Sequence, residues 1–160
     1  MHKQRVLAVI TARGGSKRVP QKNLRKLGDQ SLLERTVKAS IGSSIVDRTV
    51  LSSDCPRIAK EAVCCGCEVP FMRPPELATD EAMSEDVLMH AVNHLPFFDW
   101  VLLLQPSSPF RTSEDIDLAF ALAKNLNRNS CVGVTPFQSD TNLNEKYLFN
   151  GDVFVPNPQK

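Results

Sequence analysis

Nothing in this sequence approaches the ~20 consecutive apolar residues that a helix needs to cross a bilayer. The polar, basic Met1–Arg5 is followed by an apolar run that reaches only from Val6 to Ile10, too short for the core of a secretory signal. Neither sign of charge dominates: 19 Lys and Arg against 18 Asp and Glu leave a net charge of +1. That balance excludes wholesale attraction to nucleic acid or to an anionic membrane, so affinity for a charged ligand must come from local placement of charge. Histidine is scarce. Of His2, His90 and His94, the last two lie four apart without a convincing set of carboxylate partners, and all three read as structural. The five cysteines are an odd number, and in a chain expected to be soluble and cytoplasmic they read as free thiols. Cys64, Cys65 and Cys67 crowd around Gly66 with no fourth ligand and no nearby His. They read as small, half-buried side chains at a helix-to-strand turn rather than as a zinc site.

What remains is ordinary for a globular protein, 42% hydrophobic and 23% charged, and 160 residues suit one domain. Val6–Ile10 and Trp100–Leu104 are short continuous apolar runs, the signature of strands covered on both faces. Thr49–Leu51 predicts another strand, Glu68–Phe71 a short extended piece and Ser130–Val134 a further strand. Helices are expected over Ser31–Ser40, from Pro56 to a stop at Gly66 with Asp54 or Cys55 as its cap, over Ser84–Leu95, and from a cap at Thr112 or Ser113 with Asp115 in its first turn. Asn150-Gly151-Asp152 reads as a turn between two hairpin sides, Tyr147–Phe149 and Val153–Val155. The alternation of strand and helix predicts an α/β fold with a doubly wound, mostly parallel sheet. Such sheets bind ligands beyond the carboxyl ends of their strands, so the loops Ala12–Asn23 and Gln105–Thr112 should open onto one rim.

The first of these loops carries the chemistry. Arg13-Gly14-Gly15-Ser16-Lys17-Arg18-Val19-Pro20-Gln21-Lys22-Asn23 joins two glycines, which permit close approach of backbone N–H groups, to mobile cations that suit phosphate oxygens. Arg13 can fork onto two oxygens, whereas Lys17 and Lys22 act as point charges. A P-loop requires Gly-Lys-Ser/Thr, and here the order is Gly-Ser-Lys. A dinucleotide fingerprint requires a third glycine opening a helix, and here the loop meets Pro20.

Ala-Arg-Gly-Gly-Ser-Lys-x-x-Pro-x-Lys-Asn resembles the acylneuraminate cytidylyltransferases, or CMP-sialic acid synthetases. Asp47–Asp54, Glu68–Ala78 and Leu103–Thr112 extend the likeness over about residues 5–135. The resemblance implies a Rossmann-like nucleotidyltransferase domain of glycosyltransferase-A type. Its reaction would be attack by the anomeric hydroxyl of a nine-carbon 2-keto-3-deoxy acid on the α-phosphate of CTP, giving the CMP-sugar and pyrophosphate with help from Mg²⁺. It further implies that Arg13 and Lys22 contact the triphosphate and carry catalysis, with Gly14, Gly15, Ser16 and Lys17 in support. Asn23, Arg73, Ala82 and Ser84 would meet the rest of the nucleotide, and Gln105, Ser107, Ser108 and Arg111 would shape the sugar pocket. Asp80 and Glu81 read as an acidic pair at a helix start.

Relative to that family the chain is short at its carboxyl end. The implied Asp-x-Asp metal pair is expected outside this chain, and a homodimer is the family expectation. Two alternatives stand beside the synthetase reading: a truncated or non-catalytic nucleotide-binding domain, and a nucleotidyltransferase acting on a sugar 1-phosphate.

Overall fold

The computed structural model describes residues 4–128, 130–137 and 146–156, with side chains described for 4–128 and 130–133; His2 lies outside them. β1 (Val6–Thr11) is apolar and buried from Val6 to Ile10 because both faces of its sheet are covered. Val6, Ala8 and Ile10 enter one core with Leu33, Val37, Ile58 and Ile116, while Leu7 and Val9 enter a second with Val50, Leu88, Val92 and Phe98. The alternation follows from the two-residue period of a strand. β1 lies between two parallel neighbours, β4 (Arg48–Ser52) and β5 (Trp100–Leu104). β7 (Lys146–Pro156) pairs antiparallel with β5, and β6 (Cys131–Phe137) pairs antiparallel with β7. The order of this sheet is therefore β4-β1-β5-β7-β6. A separate two-stranded ribbon joins β2 (Lys26–Leu27) to β3 (Gln30–Ser31), turning at Gly28, whose φ is 72°.

Helices α1 (Leu32–Gly42), α2 (Pro56–Cys64) and α4 (Ser113–Asn125) contribute to the first core, and α3 (Ser84–Asn93) covers the second. The sheet is thus covered by helices on both faces, as the alternation of elements requires. Local chemistry sets the helix starts. Ser31 Oγ accepts the Glu34 N–H at 3.0 Å to open α1. Thr112 and Asp115 form a reciprocal capping box on α4, each side chain accepting the other's N–H.

The expected turn at Asn150-Gly151-Asp152 is not a turn. β7 runs straight through it, and Val132 pairs with Val153 while Val134 pairs with Phe149. Four residues of β7 therefore span what two of β6 span, which is a bulge. Asn and Gly serve a bulge as readily as a two-residue hairpin, and the local sequence does not separate the two. Glu68 makes only a single bridge to Val50 rather than a strand. β6 extends through Pro136, beyond the expected end at Val134.

Candidate functional site

The carboxyl ends of β1, β4 and β5 share one edge of the sheet because the three strands are parallel. A cleft of about 660 Å³ opens there, lined by Thr11, Arg13, Lys17, Lys22 and Asn23 from β1 and the loop after it and by Arg73, Asp80, Ala82, Ser84 and Gln105 from later segments of the chain. The two loops expected on one rim therefore meet in one cavity. Ser16 and Ser107 also line it. Ser108 and Arg111 do not. Arg111 turns back on its own loop, its Nη2 donating to the Gln105 carbonyl at 2.9 Å, and the Ser108 N–H donates to the same oxygen at 3.2 Å. They shape the loop that carries Gln105.

The end of β4 organises the site. Gly14 N–H donates to Asp54 Oδ1 at 2.8 Å, and Ala12 N–H donates to the Ser52 carbonyl at 3.1 Å. Asp54 thus braces the phosphate-type loop; α2 has no side-chain cap, and Cys55 occupies its N-cap position. Gly14, expected in support of the triphosphate grip, has a packing role in the structure. Its N–H is taken by a carboxylate, and a Cβ on it would stand 2.9 Å from Cys55 Cβ, so glycine is required by packing against the start of α2. A Cβ on Gly15 meets nothing within 4 Å. Gly14→Ala should therefore cost about 1–3 kcal/mol of stability by overpacking, and Gly15→Ala less than about 0.5 kcal/mol. Thermal denaturation checks the pair; equal effects would refute the packing argument.

Arg73 is the most confined charge in the cleft, only 6% exposed. Its Nε donates to Ser52 Oγ at 3.0 Å, Nη2 to the Ser52 carbonyl at 2.5 Å and Nη1 to the Leu77 carbonyl at 3.4 Å. Its N–H adds a bond to the Ser53 carbonyl at 2.8 Å, tying the Pro-rich loop to the end of β4. Burial pushes the guanidinium down to about 10, partly offset by Asp54 and reinforced by Arg13, so it stays charged at neutral pH. Asn23 is buried as well, and its Nδ2 donates to the Arg13 carbonyl at 3.0 Å. Two residues expected at a nucleotide therefore hold the walls of the cleft.

Asp80 is not simply an acidic residue at a helix start. Its carboxylate reaches the loop after β1, one oxygen on Arg13 and the other on Lys17. Lys17 first and Arg13 second hold its carboxyl below the usual range. Sequence reasoning missed Asp54 and Asp80 as site residues because their partners lie 40 and 67 residues away.

Outside the cleft, the rings of His90 and His94 lie 4.4 Å apart and both pack on Phe71, in keeping with structural roles. Among the described residues, no group of three or more His, Cys, Asp and Glu assembles as a metal site. Cys64 is exposed and Cys65 half-buried, while Cys67 is buried, with burial pushing its thiol up to about 12. Brief alkylation near pH ~8 should label Cys64 and spare Cys67, because the thiolate is the nucleophile. Peptide mass spectrometry reads the result, and equal labelling would contradict the burial.

Fold and cleft together mark the class: a doubly wound α/β protein of the nucleotidyltransferase type. More particularly, the chain belongs to the cytidylyltransferase family, whose model matches residues 7–152. It is 43% identical over 139 residues to the CMP-N,N'-diacetyllegionaminic acid synthase of Legionella pneumophila, covering 82% of this chain and 58% of that protein. It is 35% identical over 128 residues to the N-acylneuraminate cytidylyltransferase of Escherichia coli O18:K1:H7, covering 80% and 30% respectively. The chain thus spans little more than half of the first relative and under a third of the second. A CMP:2-keto-3-deoxy-manno-octonic acid synthetase solved with CTP shares the fold, with a TM-score of 0.73 at 16% identity over 95% of this chain and 74% of that one. Among the described residues no helix is long and apolar enough to cross a membrane.

Proposed function

We propose that the cleft binds CTP and that the protein transfers CMP to the anomeric hydroxyl of a nonulosonic acid, releasing pyrophosphate. The observation that carries this reading is the convergence of Arg13, Lys17 and Lys22 with Arg73, Ser84 and Gln105 in one cleft, in a chain of the cytidylyltransferase family. The curated relatives named for legionaminic and acylneuraminic acids supply the acceptor class.

In this reading the anomeric oxygen forms a bond to the α-phosphorus. The bond from that phosphorus to the bridging oxygen of the β-phosphate breaks, the hydroxyl proton passes to solvent, and pyrophosphate departs. Arg13 and Lys22 grip the triphosphate and stabilise the charge that shifts onto the leaving group, with Lys17 and Ser16 in support. Gly15 lets the ligand approach the backbone closely. Asn23 meets the nucleotide with its amide oxygen, its nitrogen being held by the Arg13 carbonyl. Arg73, the backbone at Ala82 and Ser84 enclose the nucleoside, while Gln105 and Ser107 face the acceptor on a loop fixed by Ser108 and Arg111. Positioning two reactants in one cleft supplies much of the rate.

Mg²⁺ belongs to the same proposal and would neutralise triphosphate charge. The described residues offer no cluster of His, Cys, Asp and Glu to hold it, so its protein ligands are expected elsewhere. A homodimer and a cytoplasmic location complete the reading.

Incubation with CTP, Mg²⁺ and N-acetylneuraminic, legionaminic or pseudaminic acid should release pyrophosphate. Release only with a sugar 1-phosphate would overturn the proposed acceptor. CTP binding without turnover would leave a nucleotide-binding domain and refute catalysis by this chain.

A further inference from the structure

Arg13 and Lys17 are not idle in the cleft. Both arise from the loop after β1, and both are engaged by Asp80 from the segment that precedes α3. The turn that presents Asp80 is braced by its own chain, the Ala82 N–H donating to Thr79 Oγ1 at 3.2 Å. The carboxylate offers one oxygen to the guanidinium and the other to the ammonium, as a phosphate group would. Arg18, Lys22 and Arg73 line the same cleft, so five cations of like sign surround it. Like charges so gathered repel, and an internal carboxylate offsets that repulsion.

We propose that Asp80 is a built-in competitor for the phosphate grip: it occupies Arg13 and Lys17 when no anion is bound, yields them to the incoming phosphates, and takes them back as pyrophosphate leaves. This rests on the reading of the cleft as a triphosphate site. Asp80 and a ligand phosphate compete wherever they engage the same N–H groups, Arg13 Nη2 and the Lys17 ammonium. The pairs are suited to the task. Lys17 is 81% exposed and the Asp80 side chain 37%, so water screens the contact and a polyanion displaces it at small cost. A fully buried pair would lock the site. The device trades affinity for turnover, since a grip that holds triphosphate strongly also retains its leaving group.

The test compares wild type with Asp80→Asn, Asp80→Ser and Glu81→Gln, using CTP and inorganic pyrophosphate as separate probes in calorimetry and stopped-flow release. Both Asp80 variants should bind pyrophosphate and CTP tighter, by roughly 3- to 20-fold for two exposed pairs, and should release pyrophosphate correspondingly more slowly. Glu81→Gln removes a neighbouring exposed charge that makes neither pair and should shift affinity less than about 2-fold. Equal tightening in Glu81→Gln overturns the proposal in favour of a general charge effect. Unchanged or weaker binding in the Asp80 variants overturns it too, weaker binding making Asp80 part of the ligand's own grip. Wild-type binding of neither probe overturns the reading of the cleft, and the competitor with it. Wild-type binding without tightening overturns the competitor alone.

Discussion

Replacing Arg73 with leucine should lower stability by about 2–4 kcal/mol, the combined loss of three side-chain hydrogen bonds and of buried packing. At about 2–4 °C per kcal/mol for a chain of this size, the thermal midpoint should fall by roughly 5–15 °C. The reason lies in what Arg73 joins. One planar guanidinium reaches Ser52 Oγ, the Ser52 carbonyl and the Leu77 carbonyl, binding the end of β4 to the loop that precedes α3. Without it the Leu77 carbonyl and the Ser52 hydroxyl lose their guanidinium donors, while the Ser52 carbonyl keeps the Ala12 N–H. Arg73→Lys should recover little, because an ammonium lacks the rigid fork that spans these acceptors. Full stability in Arg73→Leu would show the network to be incidental. Because the residue also lines the cleft, its variants are expected to lose CTP binding, and the thermal measurement separates that loss from unfolding.

The second large effect is on binding. Arg13→Ala should weaken CTP affinity by about 1.5–3 kcal/mol, the range for a charge-assisted hydrogen bond, or roughly 10- to 150-fold. Stability should change little. The Arg13 side chain is about a third exposed, 31%, and the carbonyl that receives Asn23 is backbone, which alanine preserves. Arg13→Lys should fall between the two, keeping the charge but losing the fork. Calorimetry with CTP decides, and an unchanged dissociation constant would refute a phosphate role for Arg13. The loss should be larger in an Asp80→Asn background, where no internal carboxylate shares the guanidinium.

Elements whose cause is local were legible before the structure. β1 and β5 announced themselves because a strand buried on both faces must be apolar at every position. The start of α4 could be read because a capping box acts within four residues. The cations of Arg13–Lys22 were legible for a related reason: phosphate chemistry demands glycine and positive charge in one short loop. What stayed hidden depends on distant partners. Asp54 resembled a helix cap until β4 placed it under Gly14. Asp80 resembled a helix-start residue until the loop after β1 delivered two cations to it. Arg73, set among prolines, carried no sign of burial, since the Ser52 that buries it sits 21 residues away. Asn150-Gly151 misled because one dipeptide serves both a hairpin turn and a bulge, and only the register between β6 and β7 distinguishes them.

The cleft between the Arg13 loop, the Thr79–Ser84 segment and Gln105 is proposed as a CTP site. Amide chemical-shift mapping during titration with CTP and Mg²⁺ addresses it most directly. The claim predicts saturable perturbations concentrated at Ala12–Asn23, Arg73, Thr79–Ser84 and Gln105–Ser107, stronger with CTP than with ATP at equal concentration. Perturbations centred elsewhere on the molecule, or none at millimolar CTP, would contradict it.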